Sequence, residues 1–238
     1  MKDRSLFAFG LGLGFGALAA YALRRQKEAD PLAKSFATWQ AELALTRGEV
    51  EAAFFVARVR KRYTDLYTER PRFEHPALRV HLEENILPGL ALYQELLADG
   101  IEQEAALEVV EQLVMALLRP RRQVMEALGK LPFFYQLTRA MLPGMMKNFP
   151  PEGWETEWVE VSDERLAFNM HRCFYLDTFT AYGASELTPI YCSGDDFLYA
   201  DAWPQVRFER TQTLGRGGEL CDFCFRDVSG AADLETVQ

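Results

Sequence analysis

Hydrophobic and polar residues follow three different patterns along this chain. Residues 5–23 carry no charged side chain and are almost wholly apolar. Between residues 30 and 149, apolar residues recur at every third or fourth position, the spacing of one face of an α-helix. From Trp154 onward, apolar and polar residues alternate, as they do along β-strands. The order of these patterns predicts an apolar segment, a helical region and then a sheet.

Proline and glycine residues end the helices that this spacing predicts. The predicted helices comprise residues 49–69, 81–99 and 104–118. Pro71, Gly100 and Pro120 follow them, and both residue types commonly terminate helices. Basic residues at positions 119, 121 and 122 surround Pro120, so we expect a solvated loop there rather than a phosphate site.

The alternating region predicts short strands with a short helix among them. We expect strands at residues 156–161, 166–173, 206–214 and 220–228, and a helix at residues 174–182. A turn at residues 187–192 leads into Ser-Gly-Asp-Asp, and glycines at positions 215, 217 and 218 join the last two strands as a hairpin. Helices followed by an antiparallel sheet are typical of the α+β class, with the helices packed on one face of the sheet.

Composition and charge limit the class of protein. Of the 238 residues, 49% are hydrophobic, which is enough for one main domain with a substantial core. The net charge of −9 argues against a nucleic-acid binder, which normally presents a basic face, so no nucleic-acid partner is predicted. We expect an anchor with its flank at residues 1–28, a single α+β domain at residues 29–229 and a frayed tail at residues 230–238.

The apolar N-terminal segment is about as long as a helix that crosses a bilayer. Lys2 and Arg4 precede residues 5–23, whereas four basic residues follow, at positions 24, 25, 27 and 34. The excess after the segment predicts a single-pass anchor in the inner or plasma membrane, in contact with lipid, with the folded domain in the cytoplasm. A cleaved signal peptide ending near residues 20–22 is the alternative. Glycines at positions 10, 12, 14 and 16 form two overlapping GxxxG spacings, which would let two anchors approach closely as a homodimer.

All four cysteines lie after residue 172, at positions 173, 192, 221 and 224. A cysteine serves as a core side chain, a metal ligand or a nucleophile. In the last predicted strand, Cys221 and Cys224 point to opposite faces, which disfavours a shared metal ion or a disulfide bond. No metal and no cofactor is therefore predicted, and free thiols fit a reducing compartment.

His171 is the histidine that the sequence places beside a thiol. In the second predicted strand, Asn169, His171 and Cys173 share one face. A histidine next to a cysteine lowers the thiol pKa and makes it a nucleophile, although a solvent-facing histidine gives the same pattern. His75 and His81 lie on or beside predicted helical surfaces, where we expect solvated imidazoles.

Acidic and basic residues accompany the thiols along the last quarter of the chain. The acids are Asp195, Asp196 and Asp222, and the arginines are Arg172, Arg207 and Arg210. Carboxylates at turns often bind only backbone amides. As a group, however, these residues suit a small zwitterion, with carboxylates holding an amidine and an arginine holding a carboxylate.

Several motifs between residues 75 and 229 occur together in one known family. They are His81-Leu-Glu-Glu-Asn-Ile-Leu-Pro-Gly-Leu-Ala-Leu-Tyr93 with Leu96, Leu97 and Gly100, then Arg172-Cys173, Cys192 with Asp196-Phe197, and Arg210-Thr-Gln-Thr213 leading to Cys221-Asp-Phe223. In these motifs the chain resembles the L-2-amino-thiazoline-4-carboxylic acid hydrolase family. The resemblance implies an α+β domain, related in its last motif to small-molecule-binding domains of the vinyl-reductase type. It also implies a ring-opening hydrolysis that yields N-carbamoyl-L-cysteine.

The resemblance implies roles for the candidate residues as well. They are Cys192 or Cys221 as nucleophile or polar lining, His171 for proton transfer, Asp196 and Asp222 for amidinium binding, Arg210 for the substrate carboxylate, and Cys173 beside the substrate. The first hypothesis is a membrane-anchored hydrolase that opens a small cyclic amidine or amide by attack at the ring carbon. The second is a non-catalytic small-molecule-binding domain tethered to the membrane.

Overall fold

The computed structural model describes residues 32–201 and 203–229. The predicted anchor, its homodimer contact and the predicted tail lie outside these residues. Within the described ranges, no helix combines the length and the apolar character needed to cross a membrane. The described part contains helices and a four-stranded antiparallel sheet, so the predicted α+β class is confirmed.

The part of the chain before residue 149 is helical, as predicted. Its elements are α1 (Ala33–Arg47), α2 (Glu49–Glu69), α3 (Pro76–Val80), a π-helical turn (His81–Ile86), α4 (Leu87–Ala98), α5 (Gln103–Leu128), α6 (Phe134–Met145) and a 3₁₀ turn (Met146–Asn148). Helix α2 has the predicted bounds and ends before Pro71. Helix α4 is buried on nearly all sides and packs between α2 and α5, so it forms the centre of the core.

The predicted loop around Pro120 is wrong, because α5 continues through it without a break. Proline removes one backbone hydrogen bond from a helix. Side chains on either side of it hold the helix: Arg119 donates to Glu42 on α1 at 2.5 Å, and Arg122 donates to Glu126 one turn later at 2.7 Å. The basic residues at positions 119, 121 and 122 therefore lie on one continuous helix, and Arg121 borders the cavity between the helices and the sheet.

The C-terminal part alternates strands with short helices. Its elements are β1 (Thr156–Val161), β2 (Arg165–Met170), α7 (Phe174–Ala181), a 3₁₀ turn (Ser185–Leu187), α8 (Thr188–Tyr199), β3 (Val206–Glu209), a 3₁₀ turn (Leu214–Arg216) and β4 (Cys221–Asp227). The strands pair in the order β1-β2-β4-β3, and every pair is antiparallel. The two central strands, β2 and β4, therefore hold the middle of the sheet.

The last hairpin has a shorter first strand than predicted. Strand β3 ends at Glu209 instead of residue 214. The Asp222 carboxylate accepts hydrogen bonds from the backbone N–H groups of Thr211 and Gln212 and from the Thr211 hydroxyl. A side chain thus satisfies the amides that a longer ladder would have paired.

Cys173 lies on a different side of the sheet from the one predicted. The alternation placed it with His171, but β2 ends at Met170 and Cys173 is the residue that precedes α7. Alternation holds only while the backbone remains a strand, so three residues of non-strand backbone are enough to turn a side chain to the other side. The same change separates Cys173 from His171.

The predicted turn at residues 187–192 is also wrong, since α8 runs through the Ser-Gly-Asp-Asp sequence that follows it. Pro189 stands in the first turn of α8, where a proline costs no hydrogen bond. Gly194 faces α5, and a Cβ atom added there would lie 3.2 Å from Leu118 Cδ1. The glycine therefore allows close packing of α8 on α5. The acidic residues Asp195 and Asp196 thus lie on a helix and not in a turn.

Candidate functional site

A cavity of about 820 Å³, called here the central cavity, lies between the sheet and the helices. The sheet side is formed by Phe168, Met170, Cys221, Phe223 and Phe225. These residues belong to β2 and β4, and Phe168 and Phe223 are cross-strand partners whose rings stack 4.9 Å apart. Side chains from α1, α3, α5, α6, α7 and α8 form the other walls. The volume is that of a small-molecule site.

A buried arginine organises the polar wall of the central cavity. Arg210 follows β3, and only 2% of its side chain is exposed. Its guanidinium donates to Asp195 Oδ2 at 3.0 Å, to Asp196 Oδ1 at 2.6 Å and to the Cys192 carbonyl oxygen at 2.7 Å. The rings of Phe208 and Phe223 flank the same group. Burial of this cation is stabilised by two carboxylates and by the aromatic faces.

Asp195 is the carboxylate that faces the central cavity. Although 38% of its side chain is exposed, it lines the cavity, so part of that surface faces the cavity. Burial raises the pKa of Asp195 to about 6, although the charge and the hydrogen bond of Arg210 lower it and the charge of Asp196 raises it further. A carboxyl group that titrates near neutral pH is able to accept and return a proton during a reaction.

Three thiols border the cavity near this carboxylate, on Cys173, Cys192 and Cys221. Burial raises the pKa of Cys173 to about 12 and that of Cys221 to about 11, so both remain protonated at neutral pH. Cys221 Sγ accepts a hydrogen bond from the backbone N–H of Leu214. Since the thiolate is the reactive form of cysteine, these surroundings do not activate Cys173 or Cys221 as a nucleophile.

His81 and Tyr175 form a second polar contact on the cavity wall, which the sequence did not predict. His81 Nε2 lies 3.0 Å from the Asn148 carbonyl oxygen, and Nδ1 lies 2.9 Å from the Tyr175 hydroxyl. Burial lowers the pKa of His81, although the Asn148 contact opposes this. A neutral imidazole that donates from Nε2 must accept at Nδ1, so Tyr175 donates its proton to His81.

A π-helical turn places His81 on this wall. Pro88 follows the turn, and because proline has no N–H it removes the hydrogen bond that an α-helix would make to residue 84. The following carbonyl, that of Asn85, accepts a hydrogen bond from the Tyr191 hydroxyl of α8 at 2.9 Å. In the sequence, Pro88 is the signal for an irregular helix near His81, but a proline alone does not distinguish a π-helical turn from a helix end.

Charged side chains at the exposed edge of the cavity come from three separate elements. They are Glu84 of the π-helical turn, Arg121 of α5 and Lys147 of the 3₁₀ turn after α6. Burial, together with the charge of Glu83, raises the pKa of Glu84. The Arg121 charge acts on Asp195 and lowers its pKa, so these two groups lie near each other. The edge thus offers both signs of charge to a ligand.

Four of the seven predicted site residues line the central cavity: Cys173, Cys192, Cys221 and Arg210. The other three lie elsewhere. His171 bonds Glu157 of β1 at 3.0 Å and is exposed. Asp196 binds Arg210 and Arg216 and does not border the cavity. The neighbouring carboxylate, Asp195, takes the position that the sequence interpretation gave to Asp196.

Asp222 acts on the backbone of its own hairpin in this structure. Burial alone would raise its pKa, but hydrogen bonds from Thr211 and Gln212 outweigh that effect and lower it. Cys224 points to the opposite face of β4 from Cys221, as predicted, and its sulfur accepts from Arg165 Nε at 3.2 Å. All four cysteines are free thiols, and the described residues contain no group of three metal-ligating side chains.

Comparison with known proteins agrees with the motifs of the sequence. A family model described as L-2-amino-thiazoline-4-carboxylic acid hydrolase matches residues 79–225, which is more than half of the chain. The match begins just before His81 and ends in β4, so it includes most of the elements around the central cavity, but not α1. No curated protein and no solved structure matches the chain.

Proposed function

We propose that this chain, which belongs to the L-2-amino-thiazoline-4-carboxylic acid hydrolase family, hydrolyses a small molecule bound in the central cavity, with Asp195 as the general base. The observation that carries the proposal is the position of Asp195, a carboxylate that borders the cavity and is held by the buried Arg210. Burial raises the pKa of this group to about 6. A base of this pKa is mostly ionised at neutral pH and still gains a proton readily. The substrate class is a cyclic amidine or amide.

For a cyclic amidine of the family's type, the proposed reaction is an attack by water. Asp195 accepts a proton as the water oxygen bonds to the ring carbon between nitrogen and sulfur. The carbon–sulfur bond then breaks, and the carbon becomes the carbonyl of a urea group. Of the two water protons, one ends on the former ring nitrogen and the other on the departing sulfur. Asp195 is ionised again after the second transfer, so it acts catalytically.

Water is a better proposed nucleophile than a cysteine in this cavity. Both Cys173 and Cys221 are protonated at neutral pH, and neither has a base within hydrogen-bonding distance among the described residues. The Cys192 sulfur packs against the chain at Gly215, where an added Cβ atom would lie 2.8 Å from it. We therefore assign these three side chains to the cavity wall, in place of the nucleophilic role expected for Cys192 or Cys221.

Arg210 is proposed to orient Asp195 and to balance its charge. Its guanidinium already donates to two carboxylates and one carbonyl, and its side chain is almost fully buried. A substrate carboxylate would have to displace one of these acceptors. The hydrogen bond from Arg210 to Asp195 Oδ2 holds this carboxylate at the cavity wall, a positioning function that catalysis requires.

The test is turnover by the purified full chain of L-2-amino-thiazoline-4-carboxylate and of related cyclic amidines and amides. Ring opening of the thiazoline releases a new thiol, which is measured directly. We expect Asp195→Asn to lower kcat/KM by about 10²–10⁴-fold, the usual contribution of a general base. Asp196→Asn is the matched control, since it also removes one acceptor of Arg210 but lies outside the cavity. Equal losses in the two variants would contradict the proposal.

A second candidate function is a non-catalytic domain that binds a small molecule. The apolar walls of the central cavity, formed by residues such as Trp154, Phe168 and Phe223, favour it. This function would be supported over the hydrolase if a ligand bound saturably to the wild-type protein and to Asp195→Asn, and neither protein turned it over.

Residues 5–23 are the basis of a separate proposal about location. We propose that they form a single-pass anchor in the inner or plasma membrane, with the hydrolase in the cytoplasm and two anchors in contact. This proposal rests on the sequence of residues outside the described part. Membrane fractionation of the full chain, compared with a chain that begins at residue 29, is the test. Equal distribution of both chains in the soluble fraction would contradict the anchor.

A further inference from the structure

The central cavity is much larger than the substrate that names the family. A five-membered ring with one amino and one carboxylate group is smaller than the drug-sized ligands that fill cavities of ~300–1,000 Å³. The cavity here is about 820 Å³ and extends from the sheet to α1 and α6. If Asp195 acts on one end of the ligand, most of the cavity remains for another part of the same molecule.

Apolar side chains surround that remaining volume. They include Leu117, Leu142, Met145, Phe149, Trp154 and Phe168. Methionine side chains adapt their shape to a ligand more readily than branched side chains do. The free energy gained by covering apolar surface is about 25 cal/mol per Å², so an apolar ligand segment would bind here favourably. These walls select a hydrophobic body.

Two cations at the edge of the cavity, Lys147 and Arg121, lack an ion-pair partner in the described part of the chain, and Arg121 is the one on α5. Its neighbours on α5 are occupied, because Arg119 binds Glu42 while Arg122 binds Glu126 and the Phe197 carbonyl oxygen. Arg121 lines the cavity, and no described residue forms a hydrogen bond or salt bridge with its guanidinium. An unpaired guanidinium beside an apolar cavity is suited to a carboxylate, which it binds through two parallel hydrogen bonds.

We propose that the ligand is an amphipathic carboxylate whose carboxylate pairs with Arg121 and whose apolar body fills the central cavity. The hydrolysable group of this ligand lies beside Asp195, a detail that rests on the proposed function. Arg121 is thus a specificity-determining residue. Its charge acts on Asp195, which places the anchored end of the ligand near the proposed base.

Two other cations of the cavity are less suited to this role. Arg210 is buried and already binds three acceptors. Lys147 is exposed and lies in the 3₁₀ turn that follows α6. An ammonium group offers a point charge without the paired donors of a guanidinium. Lys147 nevertheless has no described ion-pair partner, so it is included in the experiment as the competing site.

The experiment measures binding of unbranched saturated carboxylates, from butanoate to decanoate, to the full-length protein by calorimetry. The alcohols of equal length serve as uncharged probes. In the wild-type protein, affinity should rise with chain length, and each carboxylate should bind better than its alcohol. Arg121→Gln should weaken carboxylate binding by about tenfold, equal to 1.4 kcal/mol, and leave alcohol binding and the chain-length dependence unchanged. Arg119→Gln, on the same helix but outside the cavity, should change neither.

Several results would overturn the proposal. They are the absence of chain-length dependence, equal effects of Arg119→Gln and Arg121→Gln, and loss of carboxylate preference in Lys147→Gln in place of Arg121→Gln. Asp195→Asn separates this inference from the proposed hydrolysis, because that variant should keep carboxylate binding. Arg121-dependent binding of the carboxylates, with no turnover of any of the cyclic amidines and amides, would support the inference and contradict the enzyme. Hydrolysis of the small thiazoline without chain-length-dependent binding of carboxylates would support the enzyme and contradict the inference about the ligand.

Discussion

Asp195 and Arg210 are joined by a 3.0 Å hydrogen bond in which the arginine is buried and the carboxylate borders the central cavity. The pairing explains how a carboxyl group remains partly ionised at this position. Burial raises its pKa, whereas the guanidinium opposes that effect and brings the pKa to about 6. The pair therefore places a proton acceptor of suitable strength in an otherwise largely apolar site.

Removal of the Arg210 charge should destabilise the protein strongly. Arg210→Gln leaves Asp195 and Asp196 without their shared partner, and loss of one member of a buried ion pair typically costs about 3–5 kcal/mol. Arg216→Gln is the control, because Arg216 also binds Asp196 but is 47% exposed. Exposed pairs contribute about 0–1 kcal/mol. Urea unfolding of both variants measures the difference, and similar losses would contradict the organising role of Arg210.

Replacement of the cavity thiols should leave catalysis largely intact. Cys221→Ala and Cys192→Ala remove sulfur atoms from the wall, so we expect kcat to fall less than about tenfold, whereas loss of a true nucleophile costs orders of magnitude more. Cys224→Ala, on the other face of β4, is the structural control. Alkylation of Cys221 at neutral pH should also be slow, since its pKa is about 11. A loss in Cys221→Ala as large as that in Asp195→Asn would restore the thiol mechanism.

Gly89 should not tolerate a side chain. A Cβ atom added there would lie 2.0 Å from the Tyr191 hydroxyl, which binds the Asn85 carbonyl. Gly89→Ala must displace Tyr191 from the cavity wall, and overpacking of this kind costs about 1–3 kcal/mol. Gly144→Ala, in α6 with no atom within 4 Å of the added Cβ, should instead be stabilising, by roughly 0.5–1 kcal/mol. Thermal unfolding of both variants tests the close contact, and equal stabilities would contradict it.

The stability of the fold should respond to the ionisation of Asp195. In the folded protein its pKa is about 6, above the ordinary value of 3.8, so the folded state holds this proton more tightly than the unfolded state does. The resulting stabilisation is present below pH 3.8 and is lost as pH rises through about 6. Wild-type protein should therefore lose stability relative to Asp195→Asn between pH 4 and pH 7. Denaturant unfolding at several pH values gives this difference, and the opposite slope would contradict a raised pKa.

The sequence was sufficient for the elements with regular periodicity. Helix α2, strand β1 and the class of the fold agree with the prediction. The predicted elements are wrong where the backbone conformation depends on one proline or on a few residues, as at Pro120 and at the end of β2. Pro120 is a helix end by the sequence prediction, yet α5 continues through it, where Arg119 binds Glu42 of α1 and Arg122 binds the Phe197 carbonyl oxygen of α8. Such tertiary contacts leave no local signal in the sequence.

The candidate site was predictable by region more than by residue. Cys192, Cys221 and Arg210 line the cavity, and all three belong to the predicted C-terminal region. The sequence interpretation selected Asp196 in a segment expected to be a turn, whereas the structure forms a helix there and places Asp195 at the cavity. His81 was missed because its burial depends on residues about 67 and 94 positions away.

The measurement that tests the central claim most directly is the pH dependence of kcat/KM for a hydrolysed cyclic amidine. If Asp195 is the base, kcat/KM should rise with pH as this carboxyl ionises and become constant above its pKa of about 6. Asp195→Asn should abolish this rise along with most of the activity. A profile that instead rises near the pKa of a thiol, and that changes in Cys221→Ala but persists in Asp195→Asn, would contradict catalysis by Asp195.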